Sequence, residues 1–160
     1  MKRFAAVLVV LGTTAVGCAP ADVAGSYSAS VTSGDNGCGL SGWTPGSSAT
    51  GVPFNVTQTG DAVSGTVGGL TGAVFNLAFG SNVFTGTVAG THVVMVLHGQ
   101  NAQSQNGCAF TWDARIVGDL SGDALQGTIT YTANTNTSPA CATLSTCRSV
   151  QSFSGSRPPR

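Results

Sequence analysis

GDAVSGTV (60–67), GSNVFTGTV (80–88) and GDALQGTI (122–129) are three versions of one phrase. Each opens on a turn rich in Gly, Asp or Asn, residues that tolerate positive φ, and continues as apolar–x–Gly–Thr–apolar. Side chains on a strand alternate between its faces, so Val63, Gly65 and Val67 share one face. Phe84, Gly86 and Val88 do the same, as do Leu125, Gly127 and Ile129. Each copy reads as the outgoing strand of a hairpin. Glycine in mid-strand marks a bend or the close approach of another backbone. Recurring at the same place in three strands, it predicts a strongly coiled sheet, of the kind that needs such bends to close.

Alternation supplies the remaining strands. Tyr27, Ala29 and Val31 mark a first strand, and Val52, Phe54 and Val56 a second. Residues 73–79 carry Phe75, Leu77 and Phe79 at period two, and 92–98 are apolar on both faces. Residues 109–117 alternate Phe110, Trp112, Ala114 and Ile116 with Thr111, Asp113, Arg115 and Val117. Residues 148–154, with Val150 and Phe153, close the chain. Composition agrees: 23 glycines, 8% charged residues, no Glu and a single Lys at position 2 make poor helix material.

The expected fold is all-β. Residues 24–155 should form an antiparallel meander that makes a closed or partly open barrel of 8–10 strands, with a two-sheet sandwich as the alternative. The segments above number about nine, at hairpin spacing. A purely antiparallel closed meander needs an even number, so either one segment is not a strand or the barrel is incomplete; the candidate for removal is 73–79.

The N-terminus has a different character. Lys2 and Arg3 precede the apolar run FAAVLVVL (4–11), and small residues follow to Gly17. This is the layout of a secretory signal peptide over residues 1–17, the alternative being a membrane-spanning helix in the charge-free run 4–21. Ala15-Val16-Gly17-Cys18 resembles a bacterial lipobox, with Ala15 where Leu is usual. The resemblance implies cleavage before Cys18 and acylation of that cysteine; plain cleavage near Ala19 or Ala21 is the alternative. It also implies a protein lipid-anchored at the bacterial outer membrane, since Ala19 is not the Asp associated with inner-membrane retention; a periplasmic or secreted protein is the alternative. Residues 18–23 would then be a short lipidated tether and 156–160 an exposed tail.

The chain has five cysteines, and that reading of Cys18 leaves an even set: Cys38, Cys108, Cys141 and Cys147. In an oxidising compartment these are expected as two disulfides. Proximity pairs Cys141 with Cys147 and elimination pairs Cys38 with Cys108, among three possible connectivities. A strict meander of nine strands places Cys38 and Cys108 at opposite ends, so the loop 33–50 would have to fold back.

The exported start, the Gly-x-Tyr opening (Gly25, Tyr27) and the Gly-rich hairpins are similar to small up-and-down barrels of the avidin and lipocalin kind. What this implies is architecture alone, since no ligand motif of either family is present.

Chemistry is sparse. Beyond Lys2 and Arg3 there are four arginines against six aspartates, with no basic stripe for a phosphate backbone, so nucleic acid is not an expected partner. His92 and His98, six apart on a strand, would be separated by about 20 Å and cannot share an ion. Asp119, Ser121 and Asp123 alternate as calcium ligands can, but turns also collect such residues. No G-x-S-x-G occurs, no base is placed beside a nucleophile, and Glu is absent, so neither an enzyme nor a metal or other cofactor is expected.

Candidate ligand-binding residues are Trp43, in a glycine-rich loop, Trp112, and the pair Asp113 and Arg115. That pair would form a surface ion pair or, placed in a barrel mouth, orient a polar ligand. The function expected is a membrane-anchored barrel that binds a small apolar ligand or an envelope component. The alternative is a structural or adhesive envelope module with a packed interior.

Overall fold

The structure, a computed structural model, describes residues 19–159; the segment expected as a signal peptide, and Cys18, lie outside them. The three glycine-bearing phrases are strands. They supply β3 (Ala62–Val67), β4 (Val83–Ala89) and β8 (Ala124–Thr135), which pair with β2 (Ser48–Thr59), β5 (His92–His98) and β7 (Cys108–Ser121) respectively. β1 (Gly25–Asn36) and β9 (Ser149–Ser156) complete the wall, and a short β6 (Gln103–Gln105) is added at the edge of β7.

Every wall strand pairs antiparallel with its neighbours. β5 pairs β7, and β1 pairs β9, so the sheet has no free edge in its main wall: it is a closed eight-stranded antiparallel barrel with one extra strand. Val63, Val67, Phe84, Val88, Leu125 and Ile129, the apolar residues of the repeated phrase, are all buried inside.

The repeated glycines show how closure is achieved. A Cβ on Gly86 would lie 1.9 Å from the Val94 carbonyl oxygen, and one on Gly127 would lie 2.0 Å from that of Val117. Neighbouring backbones are too close at these points for any side chain. At Gly65 the obstacle is the Phe54 ring, 2.4 Å away, which fills the space the glycine leaves.

One predicted strand is a helix. Residues 73–79 lie in α1 (Gly69–Phe79). Phe75, Leu77 and Phe79 alternate, which suits a strand, but Phe75 and Phe79 are also one helical turn apart and both are buried. Gly80 adopts φ 78° and ends the helix, its N–H donating to the Asn76 carbonyl. The neck of the excursion is pinned by Asn82, whose Nδ2 donates to the Val67 carbonyl at 2.7 Å while Val67 N donates to the Asn82 carbonyl. α1 is therefore an insertion in the β3–β4 hairpin.

Removing that strand reverses the direction of everything after it. Cys108 then falls at the same end of the barrel as Cys38, and the tension in the meander disappears. The disulfides are Cys38–Cys147 and Cys108–Cys141, not Cys141–Cys147 and Cys38–Cys108. Proximity in sequence misled because a helical turn, Pro139–Cys141, and α2 (Ala142–Ser145) separate Cys141 from Cys147 and carry them toward different neighbours.

The barrel thus has two unlike ends. Tight turns at 60–61, 90–91 and 122–123 form one. The long connections, α1 and both disulfides form the other. The tight-turn end is plugged by the chain's own N-terminal segment. Val23, expected in the tether, is fully buried; its N–H donates to Gln58 Oε1 at 2.8 Å and its carbonyl accepts from Tyr27 Oη at 2.9 Å. Ala21 N donates to the Gly90 carbonyl. Arg157, expected in an exposed tail, has a buried side chain: it pairs with Asp123 at 3.0 Å, donates to the carbonyls of Asp22 and Ala24, and stacks over Tyr27.

Candidate functional site

Above the plug, Val56, Val63, Val88, Val93 and Leu125 fill the barrel. Toward the other end the interior opens into a cavity of about 700 Å³. Barrels of this size hold either packed side chains or one small ligand, and this one divides its length between the two. The volume is in the range of pockets that take a drug-sized molecule.

The cavity wall is apolar and strongly aromatic. Phe54, Phe84, Phe110 and Phe153 come from strands, Phe75 and Phe79 from α1, and Trp43 from the β1–β2 loop. Phe75 stacks on Phe79 at 5.1 Å, and both rings tilt against Tyr131 at 6.4 and 6.1 Å. Trp43 meets Tyr131 edge-on at 5.6 Å, with its Nε1 donating to the Gly34 carbonyl. Trp43 thereby acts as a fixed cover rather than a free loop residue.

α1 forms the other cover and has two apolar faces. Phe75 and Phe79 point in, while Leu70 and Leu77 are 85% and 82% exposed. Val74 is exposed and also lines the cavity, so apolar surface runs continuously from outside to inside past this helix. The C-terminal end of α1 is held by the β5–β6 connection: Gln100 N donates to the Phe79 carbonyl and Asn101 Nδ2 to that of Leu77.

Both disulfides brace this rim. Cys38–Cys147 ties the loop that carries Trp43 to the β8–β9 connection, and Cys108–Cys141 ties the start of β7 to the same connection. Chain folding therefore holds the walls, while covalent bonds hold the mouth.

One polar relay sits on the apolar wall. Tyr131 Oη donates to Gln151 Oε1 at 2.7 Å, and Gln151 Nε2 donates to Ser33 Oγ at 3.1 Å. Tyr131 is buried, and desolvation pushes its phenol above the ordinary value, so it stays protonated as a donor at physiological pH. Sequence patterning did not single out these residues, because Tyr131 reads as an ordinary inward strand residue and the relay runs across β8, β9 and β1, which become neighbours only when the barrel closes.

Of the residues expected at a ligand site, Trp43 and Trp112 line the cavity, Trp112 packing edge-on against Phe110 at 5.2 Å. Asp113 and Arg115 do not, since they lie on the outer face of β7, opposite the buried Ala114 and Ile116. Asp113 reaches across the strand pair: its Oδ2 lies 3.1 Å from His98 Nδ1 and its Oδ1 accepts from Gly99 N. The other histidine, His92, is similarly 3.0 Å from Asp119. Among the described residues no cluster of three or more metal-ligating side chains occurs.

No family model, curated protein or solved structure matches this chain.

Proposed function

We propose that this protein is a lipid-anchored envelope protein whose barrel carries a small apolar ligand in the cavity under Trp43 and α1. The observation that supports the reading is the cavity itself: about 700 Å³ of aromatic-walled space at the braced end of a barrel whose other half is packed. A module with a purely structural role gains nothing from that volume, because unfilled interior costs stability in proportion to its size.

Uptake of an uncharged fluorescent apolar probe, N-phenylnaphthylamine, tests this. The wild-type protein is expected to take up one probe per barrel with a large rise in emission. Val31 lines the cavity from β1 and is only partly buried. Val31→Trp is expected to lower probe affinity at least about tenfold by filling the space, with little change in thermal midpoint because the added ring occupies a void. A wild-type barrel that takes up no probe would favour the packed structural module.

The anchor is part of the same proposal. The lipobox-like Ala15-Val16-Gly17-Cys18 supports acylation at Cys18. From Ala21 the chain is already packed against the barrel, so only Ala19 and Pro20 would separate the acylated residue from the plugged end. The plugged end would rest on the membrane and the mouth would face away from it. Two acyl signals give stable anchoring, at about 0.8 kcal/mol per buried CH₂. Cys18→Ser is expected to move the folded protein from the membrane to the soluble fraction on cell fractionation; a variant that stays with membranes would refute the anchor.

A further inference from the structure

We infer that the cavity selects an uncharged ligand, an apolar body carrying one hydrogen-bonding oxygen such as a fatty alcohol or fatty ester, and disfavours the ionised fatty acid of equal chain length. This rests on the binding role proposed above and narrows its ligand class.

The first ground is charge. None of the described residues lining the cavity is Asp, Glu, Arg, Lys or His. The nearest candidates suggested by sequence, Asp113 and Arg115, stand on the outer face of the wall. A carboxylate brought against this interior gives up its hydration and meets no counter-charge, which is the costliest way to bury a polar group.

The second ground is the relay of Tyr131, Gln151 and Ser33. All three line the cavity. Ser33 Oγ accepts from Gln151 Nε2, so the Ser33 hydroxyl proton is available to donate, and Gln151 Nε2 has a second N–H. Tyr131 gives its proton to Gln151, which leaves its oxygen able to accept. A hydroxyl placed here both accepts from Ser33 and donates to Tyr131. An ester carbonyl uses the donors alone, and an alkane uses neither. Two neutral donors replace only part of the water that an ionised carboxylate loses, whereas they match what an alcohol loses. The rings of Phe75, Phe79 and Phe84, which line the same cavity, then take the apolar body.

The test is displacement of N-phenylnaphthylamine from the disulfide-intact barrel at neutral pH by four competitors of one chain length: dodecane, dodecanol, methyl dodecanoate and dodecanoate. Dodecanol and the methyl ester are expected to displace the probe at concentrations at least about tenfold below dodecanoate. Dodecanol is also expected to compete better than dodecane, and Ser33→Ala to narrow that gap. Dodecanoate competing as well as dodecanol would overturn the inference, as would probe uptake that no dodecyl compound displaces; in both cases the cavity would remain a binding site of another specificity. Absence of probe uptake altogether would remove the binding role as well.

Discussion

Replacing Gly86 or Gly127 by alanine is expected to prevent stable closure of the barrel. At Gly86 a Cβ would meet the Val94 carbonyl oxygen at 1.9 Å and the Met95 Cα at 2.7 Å. At Gly127 it would meet the Val117 oxygen at 2.0 Å and the Gly118 Cα at 2.5 Å. These obstacles are backbone atoms of the paired strand, so relief requires the two strands to move apart, and in a closed barrel every other pairing must follow. A loss of at least about 3 kcal/mol is expected from overpacking of this kind.

Two comparisons separate crowding from glycine's general role. At Gly65 the obstacle is the Phe54 ring, a side chain, so Gly65→Ala should cost less than Gly86→Ala. Gly90 has φ 58° and open space around it, so Gly90→Ala should lose only the left-handed strain, about 1–2 kcal/mol. Urea titration followed by circular dichroism would give the order. A Gly86→Ala variant as stable as Gly90→Ala would mean that strand proximity is not what the repeated glycine serves.

The second large effect concerns the outer disulfide. Cys38 and Cys147 are 109 residues apart in sequence, and a link closing so long a loop restricts the unfolded chain by roughly 5 kcal/mol on the chain-entropy estimate. The paired substitution Cys38→Ala with Cys147→Ala is expected to lose most of that. The inner bond, Cys108–Cys141, spans 33 residues and corresponds to about 4 kcal/mol on the same estimate. The outer pair should therefore cost more when each is removed alone, measured by thermal or denaturant unfolding. Its loss should also weaken probe uptake before the barrel unfolds, because Cys38 anchors the loop that holds Trp43 over Tyr131. Equal stability of the two double variants would argue against the entropic origin, and unchanged uptake would argue that Trp43 is positioned by packing and its bond to Gly34 alone.

The placement of a cavity under Trp43 gives the exposed face of α1 a setting. A helix with apolar residues on both faces is stable as a helix only because Phe75 and Phe79 are buried in the barrel mouth. Asn82 pins the neck that leads into it, and Asn101 holds its C-terminal end. The helix is thus a fixed part of the rim, and any ligand that enters beside it passes Val74.

How far the sequence could be read depended on the range of each signal. The turn residues and the alternation around Gly65, Gly86 and Gly127 are local, and they correctly marked which strands exist and which side chains face inward. The segment 73–79 defeated that reading because Phe75, Leu77 and Phe79 satisfy period two as well as a helical turn. The Gly80 stop signal next to it was the one local cue favouring a helix. A single misassigned strand then reversed the parity of the chain beyond it; the cysteine pairing failed for a separate reason, because closeness in sequence does not decide which cysteines the fold brings together.

What the residues alone determined is an all-β meander: glycine-kinked strands with an apolar inner face, short turns, and two crosslinks. Tertiary structure alone decided which cysteines meet, that Val23 and Arg157 plug one end, that Asp113 and Arg115 face outward, and that Tyr131, Gln151 and Ser33 join on one wall. Alternation and turn chemistry act over a few neighbouring residues, whereas these features depend on strand parity and register around a closed ring, which only the completed pairing of β1 with β9 and β5 with β7 sets.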